Sequence, residues 1–165
     1  MIPTLNNQEM VWQLLEEIAD PEVPVLSIVD LGIIRNVSIE NNCHVTVTIT
    51  PTYSGCPAMD VISMQIRMLL RSHGYEQVSI EMQLNPAWTT DWMSENGKVK
   101  LQQYGIAPPL RKSNESLPLF EEDLPACPKC NAINTSLVSR FGSTSCKAMY
   151  KCNECLEPFE HFKCH

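Results

Sequence analysis

Four cysteines near the end of the sequence stand in two close pairs. Two residues separate Cys127 from Cys130 and Cys152 from Cys155, and 21 residues lie between the two pairs. A two-residue spacer lets both thiolates of a pair face one metal ion, so the two pairs supply four sulfur ligands. The pattern predicts a zinc ribbon with one structural zinc ion. Because an iron–sulfur cluster uses the same ligands, iron stays an alternative.

The start of the sequence has neither a basic segment nor an apolar core, and no stretch is long enough to cross a bilayer. We therefore expect a cytoplasmic protein with no membrane partner, whose paired thiols bind metal rather than form disulfides. Cys146 and Cys164 lie close to the predicted ligands. A closed structural site holds four ligands, so both are expected to be spare, although either thiol is an alternative ligand.

Another cysteine, Cys56, lies where a predicted strand gives way to a predicted helix. It follows the loop that begins at Thr50, and it precedes Pro57, a residue that suits the first position of a helix. The helix dipole favours a thiolate by roughly 0.3 to 1 kcal/mol, which predicts a slightly lowered pKa for this thiol. We interpret Cys56 as a thiol that can bind metal. The alternative is a small, buried helix cap.

The spacing of apolar residues predicts an α+β fold for the first part of the chain. It indicates a helix that stops at Asp20, a hairpin that turns at Asn41 and Asn42, a helix over 56–73, a strand over 78–84, and a helix over 94–104. This order predicts a small sheet with helices on one face. We expect this domain to cover residues 1–105, followed by a proline-containing linker over 106–124 and the zinc ribbon over 125–165.

The charges are distributed unevenly between these parts. Residues 1–105 carry five Lys and Arg against twelve Asp and Glu, a net charge of −7, and residues 106–165 carry seven of each. A nucleic-acid-binding protein needs a basic surface, and neither part supplies an excess of positive charge. We therefore expect no nucleic-acid partner, and we interpret the ribbon as a structural or protein-docking element.

Short motifs in the first part resemble a known family. Asp20-Pro-Glu-Val-Pro, Ile28-Val-Asp-Leu-Gly, Thr50-Pro-Thr and Cys56-Pro together resemble the iron–sulfur assembly domain of bacterial SufT-type factors and of their eukaryotic cytosolic counterparts. The resemblance covers residues 8 to about 95. It implies a domain that loads or transfers metal centres, with Cys56 as the reactive residue. It also implies that four polar residues surround this thiol: Asp20, Asp30, Thr50 and Thr52.

The whole sequence resembles the D-subunit family of bacterial phenylacetyl-CoA epoxidases, components of a multicomponent monooxygenase of aerobic phenylacetate breakdown. The resemblance is carried by Pro86-Ala-Trp-Thr-Thr-Asp-Trp-Met, Tyr104-Gly-Ile-Ala-Pro-Pro, Phe141-Gly-Ser-Thr-Ser-Cys-Lys and Glu157-Pro-Phe-Glu-His-Phe-Lys. It implies an accessory role in maturing the oxygenase. The implied partners are oxygenase or reductase components and the iron–sulfur assembly machinery, and the implied cargo is iron or a transient iron–sulfur cluster.

Three functions compete at this point. The first is a maturation factor for an iron–sulfur or di-iron centre, and the second is a structural or electron-transfer subunit of the epoxidase. The sequence has no Glu-x-x-His pair of the di-iron type and no flavin or nicotinamide fingerprint, which argues against direct catalysis of the oxygenation. The third is an independent thiol enzyme, but neither His44 nor His73 lies in a nucleophile motif. A homodimer is a further partner that we consider.

Overall fold

The computed structural model describes residues 8–40, 44–110 and 124–163, which form two compact units. Unit 1 ends at Gly97 and unit 2 begins at Lys98. This division falls earlier than the predicted boundary at residue 105. The segment predicted as a linker also begins with a short strand, because Ile106 and Ala107 are buried and pair with another strand of unit 2.

Unit 1 contains a three-stranded sheet. Strand β1 (Ile34–Glu40) pairs antiparallel with β2 (His44–Ile49), which is the predicted hairpin, and its turn at 41–43 lies outside the described residues. Strand β3 (Gln77–Met82) pairs parallel with β2, so β2 is the central strand. The apolar residues of β2 are fully buried and its threonines are half-buried, as the alternating pattern predicts.

Two helices cover this sheet. Helix α1 (Gln8–Leu15) contacts β1, helix α2 (Ala58–Ser72) contacts β3, and the two helices contact each other. Their shared contact places both on the same face of the sheet, in agreement with the predicted α+β arrangement. The predicted caps of the first helix, Asn6 and Asn7, lie outside the described residues. None of the helices in the described ranges is long and apolar enough to cross a membrane.

The loop between α1 and β1 is held by its contacts with the segment before the third helix. The indole Nε1 of Trp88 donates to the carbonyl of Leu31 at 2.9 Å. The next residue, Gly32, has a φ of +70°, and a Cβ added there would lie 2.3 Å from the carbonyl oxygen of Trp92. A side chain is therefore excluded at Gly32 both by its backbone conformation and by this close approach.

The third helix begins where this loop is fixed. A 3-10 helix covers Thr90–Trp92, and helix α3 covers Glu95–Tyr104, close to the predicted range. The Ser94 hydroxyl accepts from the Gly97 amide at 2.8 Å, which is the N-cap interaction that satisfies an exposed amide at a helix start. The same hydroxyl donates to Oδ1 of Asp30 at 2.6 Å, so the loop and the start of α3 are joined.

Unit 2 contains a four-stranded sheet in the order β4-β7-β6-β5. Its strands are β4 (Ile106–Ala107), β5 (Thr135–Ser139), β6 (Lys147–Cys152) and β7 (Pro158–Phe162). Antiparallel pairing of β5 with β6 and of β6 with β7 forms the ribbon, whereas β4 adds in parallel to β7. A small cluster of buried residues supports this sheet: Ala107, Cys127, Cys152 and Phe159.

Candidate functional site

The four predicted metal ligands come together in unit 2. The sulfur atoms of Cys127, Cys130, Cys152 and Cys155 all lie within 4.8 Å of one another. Sγ of Cys127 is 3.7 Å from Sγ of Cys155, and Sγ of Cys130 is 3.6 Å from Sγ of Cys152. Four sulfurs at about 2.3 Å from a tetrahedral zinc ion are about 3.8 Å apart, so the two shortest of these distances fit a zinc site.

Each pair of ligands sits on a tight backbone turn, and the two turns match. In the first, the Cys127 amide donates to the carbonyl of Ala132 at 2.9 Å, and Asn131 has a φ of 61°. In the second, the Cys152 amide donates to the carbonyl of Glu157 at 2.9 Å, and Leu156 has a φ of 65°. Because positive φ values are costly for residues with a Cβ, their repetition at equivalent positions indicates turns built to present sulfur.

The pKa values within the cluster show the effect of crowded sulfur atoms. The amide of Ala132 lowers the pKa of Cys130, but the neighbouring sulfurs, Cys155 foremost, together with desolvation raise it to about 12. The amides of Cys155 and Glu154 instead lower the pKa of Cys152 to about 7. A metal-free cluster therefore holds protons that a divalent cation would displace. Zinc bound here would hold the two turns together and would fold the ribbon around its small core.

Cys146 and His161 of unit 2 do not join this group. Cys146 is buried just before β6, where its sulfur lies 3.0 Å from the Thr144 hydroxyl, and it is not a member of the four-sulfur cluster. Cys164 lies outside the described residues. His161 is buried, and its ring Nδ1 lies 3.2 Å from the carbonyl of Ala107. The ring therefore stabilises the β4–β7 pair rather than a metal.

Cys56 lies in unit 1 at the start of α2. Its carbonyl accepts from the Met59 amide at 3.3 Å, and Pro57 follows as the residue that caps α2 without a side-chain hydrogen bond. The thiol is half-buried and is hydrogen-bonded by the backbone amide of Ala58 and by the Tyr53 hydroxyl. Gly55, with a φ of +77° and open space where a Cβ would stand, turns the loop into this helix.

The charge environment of Cys56 differs from the expectation. Burial raises the pKa of its thiol, and the carboxylates of Glu22 and Asp20 raise it further. The Ala58 amide and the Tyr53 hydroxyl lower the pKa, but by less. The predicted lowering by the helix end was therefore wrong in direction, because burial and two nearby negative charges outweigh it.

The two aspartates expected around Cys56 make hydrogen bonds with different parts of unit 1. Asp20 is buried, and its Oδ1 accepts from the amides of Glu22 and Val23 at 2.8 Å each, which fixes the turn that carries Glu22. Asp30 is buried at the start of α3, where it accepts from Ser94. This hydrogen bond joins the loop to α3.

Both threonines precede the Cys56 loop. Thr50 is 1% exposed, and its Oγ1 has no hydrogen-bond partner among the described residues. Thr52 is half-buried in the same loop. A buried hydroxyl without a partner costs about 1–3 kcal/mol, so Thr50 stands out as a polar group that packing alone does not explain.

Sequence reasoning missed Glu22 and Tyr53. The Tyr53 hydroxyl donates to Oε1 of Glu22 at 3.4 Å and also contacts the Cys56 sulfur, so the three side chains form one group. Their positions carry a weak signal, because Glu22 follows Asp20 by two residues and Tyr53 precedes Cys56 by three. Only the folding of the Asp20 turn onto the Cys56 loop makes that signal meaningful.

Comparisons with known proteins find a family model for each part of the chain. The model of the iron–sulfur cluster assembly protein family matches residues 8–82, and that of the PaaD zinc beta ribbon domain matches residues 112–163. An Escherichia coli (strain K12) protein named as the D subunit of 1,2-phenylacetyl-CoA epoxidase is 46% identical over 155 residues, which are 93% of this chain and 91% of that protein. The chain belongs to the D-subunit family of phenylacetyl-CoA epoxidases.

The part of the chain that contains unit 1 also matches proteins outside the D-subunit name. An Fe-S protein maturation auxiliary factor from Porphyromonas gingivalis is 39% identical over 98 residues, which are 59% of this chain and 92% of that protein. A crystal structure of a DUF59 domain from Bacillus anthracis aligns with a TM-score of 0.54 at 27% identity, covering 57% of this chain and 90% of the other. The chain thus consists of an assembly-type domain followed by a zinc ribbon.

Proposed function

We propose that this chain is an accessory maturation factor of the phenylacetyl-CoA epoxidase system, and that it does not catalyse the oxygenation. Its role is to help load iron, or an iron–sulfur cluster, into an oxygenase or reductase component. The observation that carries this proposal is the group formed by Cys56, Tyr53 and Glu22 beside Asp20. The relatives named as Fe-S maturation auxiliary factors support it, because they match unit 1.

The surroundings of Cys56 suit a cation as cargo. Two carboxylates attract a positive ion to the loop, and burial together with these carboxylates raises the pKa of the thiol while no ion is present. When iron arrives, its charge offsets the carboxylates, so the thiol releases its proton and the thiolate becomes a ligand. Glu22 is the nearest candidate to accept that proton, directly or through the Tyr53 hydroxyl. The reverse exchange releases the metal to a partner.

The ribbon has a separate role in this proposal. Its four sulfurs fill a tetrahedral site, which leaves no open position for oxygen or substrate. Zinc in the site is structural, and the ribbon presents a folded surface to partners among the epoxidase components and the iron–sulfur assembly machinery. If the cluster instead held iron, the ribbon could carry electrons, which is the competing function of a structural or electron-transfer subunit.

Co-expression of the epoxidase components with this chain tests the proposal. We expect Cys56→Ser to retain its fold and zinc content but to lower the iron and acid-labile sulfide of the purified partner components, together with phenylacetyl-CoA turnover. Ser54→Ala is the matched control, because Ser54 is exposed in the same loop two residues away. Full maturation with Cys56→Ser would contradict the proposal, and so would turnover by this chain alone with an electron donor.

A further inference from the structure

Helix α2 exposes a stripe of apolar side chains that unit 1 does not cover. Val61, Met64 and Met68 are 40%, 53% and 64% exposed, and they follow one another at intervals of three and four residues. Residues at this spacing lie on one face of a helix. Single exposed apolar residues are common, but three on one stripe form a continuous surface that water solvates poorly. The opposite face of α2 carries its core residues, such as Ile62 and Ile66.

A polar atom without a partner lies beside this stripe. The side-chain oxygen Oε1 of Gln65 is buried and accepts no hydrogen bond from any described residue. Gln65 also lines an open groove of about 590 Å³, formed by Glu17, Ile18, Ala19, Gln65, Met68, Leu69 and Ser72. A molecule that covers the stripe should therefore bring apolar side chains for the methionines, and a donor beside Gln65 would satisfy its oxygen once the carboxamide turns outward.

The charges along the stripe are arranged to match a second copy of the same helix. Asp60 lies in the first turn of α2 and Arg71 in the last turn, and both are exposed on the same flank of the stripe. Within the described residues, neither has an ion-pair partner. If a second α2 runs antiparallel with the two-fold axis level with Ile66, Met64 of each copy comes level with Met68 of the other. Asp60 of each copy then lies beside Arg71 of the other.

The same arrangement provides a hydrogen-bond partner for the Gln65 oxygen. Gln65 lies within one residue of the level of the two-fold axis, so the two carboxamides approach each other on the flank opposite to Asp60 and Arg71. Because Oε1 is buried in the single chain, the carboxamide turns outward in the dimer, and each Nε2 then donates to the Oε1 of the other copy, since a carboxamide carries both a donor and an acceptor. A two-fold interface requires a surface that is complementary to itself, and this stripe meets that requirement in apolar contacts, amides and charges.

We propose that α2 is a homodimer interface, in which two copies pack antiparallel through Val61, Met64 and Met68. The stripe from Val61 to Ser72 is about 17 Å long, long enough for three turns of each helix to interlock. The inference goes beyond the proposed function and does not depend on it, since neither Cys56 nor the zinc cluster takes part.

Sedimentation over a concentration series, with the zinc-loaded full chain, tests the interface. We expect a reversible dimer that Met68→Glu abolishes, because it places like charges at the centre of an apolar contact. Val138→Glu is the matched control, since Val138 on β5 is equally exposed at 63% but lies in unit 2. A wild-type chain that stays monomeric throughout the series would overturn the proposal. So would a dimer that Met68→Glu leaves intact, because the contact would then lie elsewhere.

Charge reversal tests the register. Asp60→Arg alone and Arg71→Asp alone should each weaken dimerisation at least ~10-fold, since two opposite-charge contacts become repulsive. An equimolar mixture of the two single variants should form a heterodimer, because position 60 of each chain then faces an opposite charge at position 71 of the other. The double variant should also recover the dimer. If neither the mixture nor the double variant forms a dimer, the antiparallel arrangement is contradicted.

Discussion

Cys56 and the four-cysteine cluster differ in what surrounds the sulfur atoms. In unit 2, each sulfur faces other sulfurs and backbone amides on two matching turns, and the set is complete for one tetrahedral ion. In unit 1, a single sulfur faces a tyrosine hydroxyl and two carboxylates. A complete ligand set holds its metal permanently, whereas one thiol beside exchangeable oxygen ligands can release it. Under the proposed function, this difference distinguishes a structural metal in unit 2 from a cargo metal at Cys56.

The two units also differ in what holds them together. Unit 1 buries a continuous set of apolar side chains between a sheet and two helices. Unit 2 has a small cluster of buried residues around two of the ligand cysteines. A core of that size contributes little folding free energy, so we expect unit 2 to need a bound metal for its fold, whereas unit 1 should not.

The largest expected effect is the loss of a zinc ligand. Cys130→Ser should remove the zinc ion and unfold residues 125–163 while unit 1 stays folded, because structural zinc contributes on the order of 10 kcal/mol to such modules. Elemental analysis and limited proteolysis measure the two outcomes. Cys146→Ser is the control, since Cys146 lies outside the cluster, and it should keep its zinc. Iron and sulfide in place of one zinc ion would show that the metal assignment is wrong.

A substitution at Gly32 should destabilise unit 1 and leave unit 2 with its zinc unchanged. Gly32→Ala should lower the free energy of unfolding of unit 1 by about 3 kcal/mol, because it combines a positive φ with a clash against Trp92. The zinc content should not change. Gly55→Ala has a similar φ but open space, so we expect a cost of about 1 kcal/mol. Urea titrations measure the free energy of unfolding of both variants. Equal losses would mean that the close approach to Trp92 does not contribute to the cost of Gly32→Ala.

A smaller effect is expected at Thr50, where a buried hydroxyl lowers stability and is a candidate for a role in metal loading. Thr50→Val should raise the free energy of unfolding of unit 1 by about 1 kcal/mol, because it replaces a buried hydroxyl that has no partner among the described residues. The same variant should lower metal loading of the epoxidase components if the hydroxyl serves the cargo. Thr50→Ser retains the hydroxyl and is the comparison. A decrease in stability with Thr50→Val would assign the hydroxyl a structural partner.

The smallest expected effect concerns pH and unit 2. Burial lowers the pKa of His161 against the smaller opposing effect of the Ala107 carbonyl. The unfolded chain therefore binds a proton at a higher pH than the folded one, so His161 reduces stability as pH falls below about 6.5. His161→Asn should flatten this acid dependence by about 1 kcal/mol or less between pH 6.5 and 5.5. Denaturation of the zinc-loaded proteins at both pH values measures the difference, and identical slopes would contradict it.

Much of the secondary structure and the four-cysteine site could be predicted, because both depend on the spacing of residues close together in the chain. The alternating residues of β2, the apolar face of α2 and the glycine that ends it define their elements without long-range information. The two cysteine pairs likewise define a metal site, because ligands with two residues between them must share one turn. The predicted lowering of the Cys56 pKa was wrong because it considered only the helix end, the one local effect that is visible in the sequence.

The sequence by itself determined the kinds of elements, the four sulfur ligands and the family, since all three are carried by residues close together in the chain. Only the tertiary structure decided which groups surround Cys56, because Glu22 and Tyr53 are 31 residues apart and meet through the fold. It also decided that Asp30 binds Ser94 at the start of α3 and that Ile106 and Ala107 join the ribbon sheet. Electrostatic environment and strand pairing depend on distance in space, which spacing along the chain does not specify.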